Sequence, residues 1–149
     1  MRLFYVTPQL IITMKKLIPY LAFDGNCEEV LNFYAACLGG EVTSMMRFSD
    51  APNETPPGSE NKVMHAEFHA DGITFMASDT MPHFEHVVGS NITLSIDLAT
   101  EDEQTAIFDK LADGGNVQMP LDNTFWGSRF GMLTDKYGIN WMLSVEKKQ

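Results

Sequence analysis

His65, Glu67 and His69 alternate along the chain, the spacing that sets three side chains on one face of an extended strand. Two imidazoles and a carboxylate can move protons or hold a transition metal. Successive same-face residues of a strand lie about 6.6 to 6.8 Å apart, an awkward spacing for three ligands on one ion. The trio therefore reads as a polar face beside a wet cleft, with a metal site as the alternative. His65 and Glu67 are the candidate catalytic residues and, in that alternative, the metal ligands; His69, beside the Asp71-Gly72 turn, reads as solvated. His83 and His86 resemble a ligand pair only if their segment turns helically, and Pro82 and Gly89 argue for a connector instead. Cys27 and Cys37 stand ten apart inside one predicted helix, roughly 15 Å of rise, too far for a disulfide. They read as reduced thiols. No Ser-His-Asp or Cys-His arrangement is legible from residue order.

The elements that must position these groups come from a chain of 149 residues, 44% hydrophobic and 20% charged, the composition of one globular domain. A net charge of −10 excludes a nucleic-acid backbone or an anionic membrane as the main partner, since both need a basic face. Reduced thiols and an acidic surface fit a cytoplasmic protein. The opening MRLFYVTPQLIIT is apolar but broken by Pro8, and it lacks the layout of a signal peptide and the length of a membrane span. Residues 1–15 read as a leader, with a signal or an extra strand as alternatives, and residues 16–146 as the domain.

That domain contains a repeat. Pro19-Tyr-Leu-Ala-Phe, the run Glu28 to Leu38 and Gly39-Gly40-Glu41-Val42 overlay Leu94-Ser-Ile-Asp-Leu, Glu103 to Leu111 and Gly114-Gly115-Asn116-Val117 at a shift of 75 (19 to 94). Each half reads as an apolar strand, an amphipathic helix, a Gly-Gly stop and another strand. Gly72-Ile-Thr-Phe-Met-Ala-Ser matches Gly138-Ile-Asn-Trp-Met-Leu-Ser at a shift of 66 (72 to 138). The difference falls in the turn-rich stretch Ser49 to Asn61. Asp71-Gly72 between alternating strands predicts a hairpin pairing Ala70 with Ile73, Phe68 with Phe75, Glu67 with Met76 and His65 with Ser78. The order is strand, helix, three strands, twice, with module one over 16–80 and module two over 90–146: an α+β protein of two βαβββ units.

A βαβββ pair resembles the vicinal-oxygen-chelate superfamily of glyoxalase I, extradiol dioxygenases and bleomycin-resistance proteins. Ile18-Pro19-Tyr20-Leu21-Ala22-Phe23, Leu38-Gly39-Gly40, Val63-Met64-His65-Ala66 and, most specifically, Trp126-Gly127-Ser128-Arg129-Phe130-Gly131 with Asp135-Lys136-Tyr137-Gly138-Ile139-Asn140-Trp141 resemble the PhnB-like branch, over about Lys16 to Val145. The resemblance implies a glyoxalase/bleomycin-resistance-type open β-barrel cleft and a homodimer whose clefts are completed across subunits. It implies metal ligands on the first and last strand of each module, positions that fall on Tyr20 and Met76, and on Thr93 or Ser95 and Met142. Thioethers and neutral hydroxyls suit hard or borderline divalent ions poorly, so no metal cofactor is expected. Some such proteins carry a 3-demethylubiquinone 3-methyltransferase label, but no glycine-rich nucleotide loop follows a strand here.

The expected cleft is lined by Tyr20, His65, Glu67, Met76, Phe125, Trp126, Arg129, Phe130 and Met142, an aromatic and methionine-rich surface suited to a small organic ligand. Arg129 can grip a carboxylate or phosphonate in bidentate fashion, or pair with Asp122 or Asp135. Trp141 alternates with Met142 and is expected in the core. Three functions remain open: a metal-free small-molecule protein; a metal-dependent lyase, isomerase or dioxygenase using His65 and Glu67; and a non-catalytic protein that sequesters a drug or metabolite.

Overall fold

The computed structural model describes residues 10–147. Module one runs β1 (Tyr20–Phe23), α1 (Cys27–Leu38), β2 (Glu41–Arg47), β3 (Val63–Ala70) and β4 (Ile73–Asp79). Module two repeats it as β5 (Leu94–Asp97), α2 (Glu101–Ala112), β6 (Asn116–Asn123), β7 (Ser128–Thr134) and β8 (Asn140–Glu146). Each makes one four-stranded sheet, ordered β1-β4-β3-β2 and β5-β8-β7-β6, with the first strand parallel to the last. The length difference between modules sits largely where expected, residues 48–62 joining β2 to β3 and only 124–127 joining β6 to β7. Residues 10–19 carry no regular secondary structure, and the start of the predicted leader lies outside the described residues. Among the described residues no helix is long and apolar enough to cross a membrane.

The Gly-Gly pairs do two jobs. Gly39 ends α1 in the left-handed region, φ 69°, where a side chain would be strained. Gly40 lies so close to β3 that a Cβ would sit 2.5 Å from the His69 carbonyl oxygen, and Gly115 meets the Thr134 carbonyl in the same way. In the β3–β4 hairpin Ala70 faces Ile73, Phe68 faces Phe75 and Glu67 faces Met76, as the turn predicts. The ladder ends at Ala66 and Ala77, so His65 does not pair with Ser78; on its other side His65 faces Met46 of β2.

The inner faces are apolar. Helix α1 buries Cys27, Val30, Leu31, Tyr34 and Cys37, the 3.6-residue period at work. Its first turn is capped from a distance, because the buried Asp79 carboxylate of β4 accepts from the Cys27 amide at 2.9 Å and the Val63 amide at 2.8 Å. Both cysteines are free and buried, as expected. Burial, then the neighbouring Asp79, pushes the Cys27 thiol up to about 12, and burial pushes Cys37 up to about 11, so neither is a nucleophile at neutral pH.

One core joins the modules. The Tyr34 ring lies 5.8 Å from Phe75 of β4 and 5.5 Å from Trp141 of β8, edge-on to both. That ring thus reaches the helix-bearing, inner faces of both sheets; the opposite, outer faces are covered by neither helix. The junction is fixed by Asp135, buried just after β7. Its Oδ2 accepts from the Tyr34 hydroxyl at 2.5 Å and the Trp141 indole N–H at 2.8 Å; its Oδ1 accepts from the amides of Tyr137 and Ile139. Four donors make a buried carboxylate tolerable.

Replacing Tyr34 by Phe removes a hydrogen bond to a buried charge and should lower stability by about 1.5–3 kcal/mol in urea unfolding, with the m-value unchanged. A loss below ~0.5 kcal/mol would contradict the assigned role. Burial, then the Asp135 charge, holds the Tyr34 phenol far above its ordinary value of 10.0. The folded state thus keeps a proton the unfolded chain releases, so this contribution is intact below about pH 10 and lost as pH rises beyond it.

Candidate functional site

The outward faces carry the residues that chemistry can use. Alternation and pairing register define a row across each one. On the first sheet Tyr20, Met76, Glu67 and Ser44 stand side by side on β1, β4, β3 and β2. On the second the same row is Ser95, Met142, Met132 and Met119. The two modules thus place Met76 and Met142 at equivalent points, and β5 offers Ser95 rather than Thr93 beside Met142.

The first face is polar. Tyr20 Oη lies 3.0 Å from His65 Nδ1, and Thr74 Oγ1 lies 3.2 Å from His69 Nδ1. These hydroxyls hold one nitrogen of each imidazole and turn the other toward Glu67, at 3.8 Å from His65 and 3.9 Å from His69. Those gaps exceed a hydrogen bond. His69, beside the hairpin turn, is 41% exposed at its side chain, as expected, with the Thr74 hydroxyl on its Nδ1.

The second face carries apolar and aromatic groups beside two carboxylates, Asp97 and Asp122. Met142, Met132 and Met119 cross it, and Phe130 lies beside Asp122. Phe125 and Trp126 occupy the β6–β7 turn, packed edge-on to each other at 5.0 Å, with Trp126 against Phe130 at 6.1 Å. Thr124 and Ser128 close this turn through backbone and hydroxyl hydrogen bonds, and Gly127 takes φ 91°. A rigid tip therefore presents Phe125 98% exposed and Trp126 58% exposed.

Arg129 is the correction. It faces Val145, on the inner side of its sheet. Its Nη1 donates to the Glu101 carbonyl at 3.2 Å, Gln104 Oε1 at 3.1 Å and Thr105 Oγ1 at 2.9 Å, tying β7 to the first turns of α2. It meets neither a ligand wall nor the side chains of Asp122 and Asp135. Two residues after the turn, alternation put it opposite Phe130, a signal present in the sequence and outweighed by its charge. Trp141 is buried as expected. Residues 80–93, with His83 and His86, form no helix; His86 Nδ1 lies 2.7 Å from Thr80 Oγ1. Sequence reading missed Met119, Met132, Ser44 and Thr74, which only the strand register brings beside the named residues.

The metal positions implied by the fold family hold a phenol, a hydroxyl and two thioethers, and their donor chemistry does not fit a hard or borderline divalent ion. Among the described residues no group of three His, Cys, Asp or Glu side chains is arranged to hold a metal.

Residues 15–144 match the family model described as 3-demethylubiquinone-9 3-methyltransferase. The chain is similar to protein PA1353 of Pseudomonas aeruginosa at 37% identity, covering 91% of this chain and 100% of that one with a TM-score of 0.82. It is similar to a PhnB protein of Bacillus cereus at 34% identity, covering 88% and 99%, TM-score 0.75. A glyoxylase/bleomycin resistance protein/dioxygenase domain from Frankia, 11% identical with a TM-score of 0.65 over 91% and 100% of the two chains, shares the fold.

If Arg129 serves the scaffold, Arg129→Met should cost about 1–3 kcal/mol of stability by leaving Gln104 and the first turn of α2 short of a donor. Amide exchange should quicken at Gln104 and Thr105 first, measured by NMR or mass spectrometry. Unchanged stability and exchange would return Arg129 to the list of free, ligand-facing groups.

Proposed function

This chain belongs to the family described as 3-demethylubiquinone-9 3-methyltransferase, on the glyoxalase/bleomycin-resistance fold, and we propose that it binds a small organic molecule between two outer sheet faces. One face comes from each of two copies of the chain. The observation that carries this reading is the exposure of large apolar groups on faces the chain itself leaves uncovered: Tyr20 is 49% exposed, and Met119, Phe125 and Trp126 are exposed on the second face. Apolar surface of that kind marks a binding or association site. The inner faces are committed to the core, and in this reading the open outer faces are closed by a partner. A second copy lets the imidazole–carboxylate face of one subunit meet the aromatic–thioether face of the other.

Whether chemistry follows binding rests on His65 and Glu67, the acid–base groups of the polar wall. The family description names a methyl transfer, and that activity is not carried over here: among the described residues no strand runs into a glycine-rich loop of the kind that cradles a nucleotide-bearing donor. The residues at the inherited ligand positions favour a site that works without a divalent ion, and a cytoplasmic setting suits the reduced thiols.

Light scattering should give the mass of a dimer, and Phe130→Asp, which touches only the outer face, should give a folded monomer. Elemental analysis should find no stoichiometric Zn, Ni, Mn or Fe, and a chelator should leave the melting temperature unchanged. A monomeric wild type would remove the shared cleft. A stoichiometric metal that disappears in His65→Ala would replace this reading by the metal-dependent one.

A further inference from the structure

We propose that the cleft selects a planar aromatic cation over a neutral or anionic molecule of the same shape. The inference rests on the two-faced cleft proposed above and assigns it a ligand class. Only two residues of the eight strands are Lys or Arg, namely Arg47 and Arg129. Both turn to the helix side. Arg47 donates to Glu28 of α1 at 2.6 Å and to the Asn61 carbonyl at 2.8 Å; Arg129 is spent on α2. The duplicated modules thus each use their one sheet arginine to tie down the start of a helix.

What stays on the outer faces is carboxylate. Glu67 lies in the row with Tyr20 and Met76, and Glu41 faces His69. Asp97 faces Ser144, and Asp122 faces Phe130. Glu67 sits outside hydrogen-bond distance of both imidazoles beside it, so its oxygens are open to a ligand donor. A cation entering such a site gains a charge partner, whereas an anion meets carboxylates whose nearest offsetting groups are the imidazoles of His65 and His69, and an imidazole is ordinarily neutral above about pH 6.5. The opposite wall supplies the matching apolar part. Trp126 and Phe130 present π-faces, which attract cations as well as ring systems, and the row of methionines adapts to an irregular outline. Polar wall and aromatic wall together describe one ligand: a flat hydrophobic body bearing a positive charge.

The test uses three probes with one ring system: proflavine as the cation, acridine at a pH where it is neutral, and acridine-9-carboxylate as the anion. Binding to the full-length protein is read from quenching of Trp126, identified by its loss in Trp126→Phe, and from calorimetry. The cation should bind about tenfold more tightly than the neutral probe, and the anion weakest. Glu67→Gln and Asp97→Asn should each weaken the cation several-fold and leave the neutral probe unchanged. Asp109→Asn, which removes one exposed charge from α2, should do neither. Equal binding of cation and neutral probe, tightest binding of the anion, or an Asp109→Asn effect as large as that of Glu67→Gln would overturn the charge selection and leave the cleft standing. If none of the three probes perturbs Trp126, the cleft reading falls and this inference falls with it.

Discussion

The arrangement depends on a buried carboxylate. Apolar burial drives the two modules together but is non-directional, and an apolar core alone would let one sheet slide or turn against the other. Asp135 removes that freedom. A carboxylate out of water must be met by donors, and here one of the donors comes from the other module: the Tyr34 hydroxyl of α1, alongside the Trp141 indole and two backbone amides of the β7–β8 turn. Moving the sheets apart or rotating them would leave that charge short of a partner at a cost comparable to much of a domain's net stability. With Tyr34 held between Phe75 and Trp141, the inner faces are committed to the core and the outer faces to whatever comes from outside.

Duplication then becomes informative through what differs. The scaffold parts have been kept in both halves: a left-handed glycine after the helix and a second glycine pressed against a carbonyl of the third strand; each half also ties an arginine to the start of a helix, from β2 in one and β7 in the other. The outer rows have diverged. Tyr20 corresponds to Ser95 and Glu67 to Met132, while Met76 and Met142 remain alike. Selection on folding alone gives no reason for one outer face to become polar and the other rich in methionine and aromatics. Two unlike walls suit an asymmetric ligand better than they suit a symmetric ion site.

Much of this was readable in the chain itself. The repeat is written in the Gly-Gly pairs and in the matching last strands, and the Asp71-Gly72 turn set the β3–β4 register from Ala70 as far as Glu67. His65 lies one residue beyond the end of that ladder, at Ala66 and Ala77, and the length over which two strands stay paired is not written in the alternation pattern. The candidate site was half readable. Tyr20, Met76 and Met142 could be located by overlaying one module on the other. Met119 and Met132 could not, because only strand pairing brings residues 119, 132 and 142 into one row. Arg129 misled for a physical reason: a charged side chain is expected outside, yet three acceptors at the start of α2 outweigh its exposure. The role of Asp135 was hidden altogether, since its partner Tyr34 lies in the other module.

The central claim, that two copies join their unlike outer faces around an organic ligand, is tested most directly by crystallising the protein as purified. Met76 of one subunit should face Met142 of its partner across a cavity walled by Glu67 on one side and Phe130 and Trp126 on the other, with organic rather than metal density within it. A crystal in which Met76 and Met142 both open onto bulk solvent in every assembly, with the outer faces unpaired, would contradict it.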